Sequence, residues 1–150
     1  VGAYSFGDWA NREGLGSGEN GYIATYKDDV TYSKEDIFKA RKSVLEIHLD
    51  ESLERYLVEL IIATRQPQKY SEQLASWIEF GASPRATIAL DKCSRAHAWL
   101  MGRDFVGPDN IHAVFHNVLR HRLLLSYEAE AEGVSSNQVL DSILQLVPVP

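Results

Sequence analysis

From Thr31 onward the chain repeats one device: a capping residue, then apolar residues every three or four positions, then a stop. This period constrains the fold more than any other feature, because a stripe spaced this way lies on one face of a helix and must be covered by a neighbour. Ser33, with Asp36 three residues on, has the pattern of a capping box and opens a helix carrying Ile37, Ala40, Val44 and Ile47. Asp50 caps the next, with Leu53, Tyr56, Leu57, Leu60, Ile61 and Thr64 on its stripe. That helix stops before Gln66-Pro67, since the residue preceding a proline resists helical geometry. A third runs from Pro84 to about Met101 with Gly102 as its stop, carrying Ala86, Ala89, Leu90, Cys93, Ala96 and Leu100. Pro108 opens a fourth, with Ile111, Val114, Phe115, Val118 and Leu119. "SSNQ" at 135–138 caps the last, with Val139, Leu140, Ile143, Leu144 and Val147. Five amphipathic helices with short connections predict an all-α bundle. A minor β element remains open. Residues 68–80 are ambiguous, with a short amphipathic piece around Leu74 to Ile78, and "RLLLSYEAEAEG" contains an apolar run that reads as a strand or a buried turn.

The first 30 residues differ. Six of the ten glycines lie there without helical period, which predicts an irregular segment with a short strand near Tyr22–Tyr26. The expected organisation is a remnant of a preceding α/β domain over 1–30 and a helical domain over 31–150. "GLGSGENG" lacks the Gly-Lys-Ser/Thr ending whose lysine reaches phosphates, so a flexible loop is expected. The chain starts at Val1 and its one methionine is Met101, so it is expected to be a piece of a longer protein. A net charge of −6 argues against binding nucleic acid through phosphate contacts. The lone Cys93 excludes an intramolecular disulfide framework and fits a reducing, cytoplasmic setting. No apolar run approaches the ~20 residues that span a bilayer.

The stretch "FGASPRATIAL", residues 80–90, holds the main candidate site. Ser83 is a good N-cap, and Pro84 suits a first helical position because its missing N–H would be unpaired there anyway. Arg85 has no such reason, because the first turn of a helix is its positive end. It lies one position before Ala86, so it points about 100° away from the buried stripe. Beside the unpaired N–H groups of the first turn, its guanidinium makes a receptor for phosphate or carboxylate; the rival reading is a surface arginine paired with an acid. His112 and His116, four apart, have metal-pair spacing, but Ala113 replaces the glutamate of an HExxH motif and no third ligand is evident, so half-buried or solvated histidines are expected. Cys93 is expected as a small core residue. Trp77 and Trp99 are expected as packing anchors, with an adenine-stacking surface as the rival. Glu128, Glu130 and Glu132 read as a solvated acidic face.

Residues 80–136, with "GASPRA", "GRDFVGPDNI" and "VLRHRLLLSYEAEAEG", resemble the C-terminal region of the MoxR family of AAA+ ATPases. The resemblance extends back through residues 32–67 and forward to "VPVP", covering 31–150. It implies an AAA+ lid, a helical bundle packed beside an α/β nucleotide-binding domain of the same chain. In the family the arginine of "GASPRA" is sensor 2, reaching the terminal phosphates of ATP; on this sequence that is Arg85, with Ser83 and Pro84 supporting it. ATP and Mg2+ are implied for the full-length protein, along with a hexameric ring and protein clients in a chaperone-like role. The Walker A loop, Walker B carboxylates, sensor 1 and arginine finger of the family are absent from these 150 residues, so they are not expected to bind the cofactor or hydrolyse ATP alone. Two rivals are a helical protein-interaction module without nucleotide chemistry, and a helix-turn-helix using His112, His116 and Arg120, which the acidic total disfavours.

Overall fold

The computed structural model describes residues 23–24 and 31–150. The glycine-rich irregular segment and the "GLGSGENG" loop lie outside the described residues. The strand expected near Tyr22–Tyr26 is β1 (Ile23–Ala24), antiparallel to β2 (Thr31–Tyr32). Then follow α1 (Lys34–Glu46), α2 (Glu51–Arg65), a 3-10 turn (Pro67–Lys69), α3 (Glu72–Trp77) and β3 (Ile78–Phe80). The rest is α4 (Arg85–Leu100), α5 (Pro108–Leu119), β4 (Leu124–Leu125), α6 (Tyr127–Ala131) and α7 (Ser136–Leu146). The fold is thus a mostly helical bundle. The two ambiguous stretches resolve into short helices, α3 and α6, and a second ribbon in which β3 pairs antiparallel with β4. Among the described residues no helix is long and apolar enough to cross a membrane.

The caps form where the sequence places them. The Ser33 N–H donates to Asp36 Oδ2 at 2.9 Å and the Asp36 N–H donates to Ser33 Oγ at 3.2 Å, closing the box on α1. These bonds, the backbone one foremost, hold the Asp36 carboxyl below its ordinary pKa. Asp50 accepts from the Ser52 N–H at 2.9 Å, and Ser135 and Gln138 form a box on α7. The α2 stripe is buried as expected, from Leu53 to Thr64.

The α4 stripe is a correction. Its buried residues are Ala86, Leu90, Ser94 and Ala98, four apart, together with Trp99, and Cys93 is exposed. Alternation of three and four places Cys93 on the face; a row four apart slants across the helix and leaves it outside. The small residues of that row let α5 approach, and α4 with α5 is the most extensive helix pair among the described residues. From α5 the core receives Ile111, Phe115, Val118 and Leu119.

The turn between α4 and α5 is a hydrogen-bonded unit. Gly102 takes φ 71°, the left-handed conformation that ends a helix without cost to a side chain. Asn110 is fully buried; its Oδ1 accepts from the Gly107 N–H at 2.8 Å and from Arg103 at 3.3 Å, and its amide lies 3.0 Å from His97 Nδ1. Arg103 also pairs with Asp109 at 2.7 Å. The turn is tied to the α1–α2 connection, where the His48 N–H donates to Asp104 O and the Val106 N–H donates to His48 O.

The histidines of α5 face different neighbours. His116 Nε2 lies 2.8 Å from Asp141 on α7, and His112 Nε2 lies 2.8 Å from the Tyr56 hydroxyl on α2. Burial pushes the His112 pKa below its ordinary 6.5, against a smaller upward pull from Asp109, and raises that of Tyr56. Both shifts favour neutral partners, so the phenol donates and the imidazole accepts.

The loop after β3 is clamped onto the end of α2. The Ala82 N–H donates to Thr64 Oγ1 at 3.0 Å, Thr64 Oγ1 donates to Ile61 O at 2.7 Å, and Arg65 Nη1 donates to Ala82 O at 3.2 Å. A Cβ on Gly81 would stand 2.1 Å from Thr64 O and 2.8 Å from Arg65 Cα. That is backbone against backbone, so only glycine fits without moving one element. Beyond α2, the Tyr70 hydroxyl donates to Glu59 at 2.7 Å; burial first, and then Glu59, push its pKa up to about 12.

Three outcomes are expected. Gly81→Ala should destabilise the bundle by at least ~1–3 kcal/mol through overlap, and Thr64→Val by ~1–3 kcal/mol through the buried Ala82 N–H it leaves unpaired; denaturant titration checks both. For His112 the unfolded chain takes up the proton first, so stability is full above about pH 6.5 and falls as pH drops toward the lower folded pKa. Urea midpoints measured at about pH 7.5 and 5.5 should show this fall, and His112→Gln should reduce it.

Candidate functional site

Arg85 is the first residue of α4 and is exposed. Of the arginines among the described residues, Arg55, Arg65, Arg95, Arg103, Arg120 and Arg122 are each hydrogen-bonded to a carboxylate, an amide or a backbone carbonyl. Arg41 and Arg85 have no such bond and no ion pair among the described residues. The rival reading of Arg85 as an arginine paired with a surface acid is therefore not what the structure contains. Its guanidinium has no hydrogen-bond acceptor or ion-pair partner among the described residues.

The ground beneath it is rigid. Gly81 and Ala82 are clamped to α2, Ala82 and Ala86 are fully buried, and Pro84 takes the helical values φ −55° and ψ −24°. One supporting role needs correction. The Ser83 side chain makes no cap bond; instead its carbonyl accepts from the Ala86 N–H at 2.8 Å, and the Pro84 carbonyl accepts from the Thr87 N–H at 3.1 Å. This tight opening turn consumes two of the N–H groups expected to lie unpaired beside Arg85. The receptor is thereby narrowed from a helix end to the guanidinium. With Pro84 already helical, the fixed ring supplies the rigidity that the hydroxyl was expected to give.

The other candidates do not converge on Arg85. Trp99 is only 6% exposed, which leaves no ring face for stacking; it packs in the core. Trp77 is half-buried and its Nε1–H donates to Glu132 at 3.3 Å, so it too is an anchor. Glu128, Glu130 and Glu132 are exposed, as expected for a solvated face, while Ala129 between them is buried. The two histidines join neighbouring helices, and no group of three or more metal-ligating side chains is found among the described residues. Thr64 and Arg65, which hold the loop, were legible only as part of a stripe and a helix end. The available signal was Gly81-Ala82 between an ambiguous segment and a helix start, a composition that permits close backbone approach.

An AAA lid domain model matches residues 74–143, from α3 into α7. Among curated proteins the chain is similar to Chaperone MoxR1 of Mycobacterium tuberculosis, 35% identical over 116 residues, covering 77% of this chain and 31% of that protein. It is 36% identical over 110 residues to Protein MoxR of Paracoccus denitrificans, covering 69% of this chain and 32% of that protein. The chain thus spans about a third of the length of these relatives. Its fold is similar to a crystal structure of a Cytophaga hutchinsonii protein provisionally assigned as an ATPase, with a TM-score of 0.77 and 38% identity over 84% of this chain and 39% of that one. Lid-model match, MoxR relatives and shared fold agree: the chain belongs to the AAA lid domain family, as the C-terminal lid region of a MoxR-type AAA+ ATPase.

Proposed function

We propose that this lid serves ATP binding and hydrolysis by its parent protein, with Arg85 as the sensor 2 residue that reaches the terminal phosphates. One observation carries the reading: Arg85 is an exposed guanidinium without a partner among the described residues, at the root of a 16-residue helix that is clamped to the rest of the bundle. An arginine so placed offers a planar fork of donors that matches phosphate oxygens and can grip two at once. Charge on those oxygens shifts as the phosphoryl group transfers, so a guanidinium aimed there stabilises the transition state more than the ground state. The lysine and the Mg2+ ligands of such a site belong, in this reading, to an α/β domain of the same chain. Mg2+ would supply neutralisation of phosphate charge, and this lid would supply orientation.

Because the "GASPRA" loop is fixed to α2, a pull on Arg85 moves the whole bundle rather than one side chain. Lid closure on ATP and release after hydrolysis would then be a rigid-body hinge motion. Assembly into a homo-oligomeric ring, protein clients and a cytoplasmic setting belong to the same proposal. The name of Chaperone MoxR1, a relative, supports the client-handling part.

ATP turnover by the intact parent protein tests this. Arg85→Ala should lower kcat/KM about tenfold or more, equivalent to roughly 1.4 kcal/mol, and Arg85→Lys should recover only part because it loses the fork. Equal rates with an intact fold would remove Arg85 from the phosphates. No turnover by either form would turn the reading to a helical protein-interaction module.

A further inference from the structure

On the face of α1 turned toward α4 lies an open groove of about 320 Å3 with a largely apolar floor. Ile37, Ala40 and Val44 of α1 and Ala96 of α4 form that floor. Leu45 stands on the rim at 60% exposed. Two cations flank the floor, Arg41 from α1 and Lys92 from α4, both exposed and neither with a hydrogen bond or ion pair among the described residues. Arg41 is thus the second of the two arginines without a partner among the described residues. It lies on α1, whereas Arg85 opens α4.

The surrounding charge has the same sign. The charged residues that line the groove, Arg41 and Lys92, are both cations. On α4 the nearby Asp91 is taken by Arg95 at 2.7 Å. Two cations and no carboxylate in the lining, in a chain of net charge −6, do not follow from composition.

We propose that this groove docks an acidic amphipathic helix of a protein partner. Apolar residues of the partner at positions i, i+4 and i+7 would fill the floor, and carboxylates on its flanks would meet Arg41 and Lys92. Charge complementarity selects this occupant. A second copy docked symmetrically would set Arg41 and Lys92 against the same cations. A bilayer surface would not follow a concave groove, and the net negative charge opposes anionic lipid.

The test is a titration of the full 150-residue chain with two synthetic helical peptides of about 15 residues. Both carry leucine at i, i+4 and i+7; one has glutamate on its flanks, the other lysine. The glutamate peptide should bind with Kd in the range of about 10–100 μM, more weakly as salt rises, while the lysine peptide should not bind. The double reversal Arg41→Glu with Lys92→Glu should weaken the glutamate peptide about tenfold or more and confer binding of the lysine peptide. That swap also shows that the variant is folded. Arg85→Ala should leave glutamate-peptide binding unchanged, so failure here is separable from failure of the ATPase reading. The proposal is overturned if the glutamate peptide does not bind, or if the double reversal leaves its affinity unchanged. It is equally overturned if sedimentation shows self-association that the reversal abolishes, or if anionic vesicles bind in place of the peptide and lose binding on reversal.

Discussion

The approach of Gly81 to the Thr64 carbonyl sets where everything after it can go. Two backbones meet there with no room for a methyl group, and the contact is locked by Thr64 Oγ1, which accepts from one strand of chain and donates to another. A hydroxyl that uses both capacities in a buried place is costly to replace, because either neighbour loses its partner. The direction of α4 follows from this clamp, since only Ser83 and Pro84 lie between Ala82 and the helix start. The position of Arg85 follows from α4. A lid that turns as one body needs its charged contact bound tightly to its core, and the clamp meets that need.

The rest of the bundle extends the same logic. The small residues Ala86, Ser94 and Ala98 bring α5 close to α4, and the turn between them is stiffened by the buried Asn110. His112 then ties α5 to α2 and His116 ties it to α7. A pair of histidines that resembled half a metal site is thus explained as two cross-braces, each occupied by a different partner. Outside this braced interior, Arg85 at the start of α4 and Arg41 and Lys92 over the α1–α4 groove have no hydrogen bond or ion pair among the described residues.

Much of the fold was legible. Ser33, Asp50 and Ser135 cap where local hydrogen bonding predicts, the α2 stripe is buried residue for residue, and Gly102 ends α4. The motifs of residues 80–136 pointed to the MoxR-type lid before any coordinates. Cys93 was misread because a periodicity of three and four cannot tell which slanted row the neighbouring helix will follow. Ser83 was misread because a capping preference is a local average, and the proline beside it made a tighter turn available. The short helices α3 and α6, pieces of six and five residues, have no period to count in the sequence.

The sequence by itself determined the five longer helices and most of their ends and faces, because capping and amphipathic spacing act within a few residues along the chain. It also marked Arg85 as a charge without a local reason. Only the tertiary structure decided that, among the described residues, Arg85 has no partner while most other arginines are engaged. It alone showed that Gly81 is a steric requirement, and that His112 and His116 serve different neighbours. Those facts depend on which surfaces meet across tens of residues, and no short-range pattern carries that information.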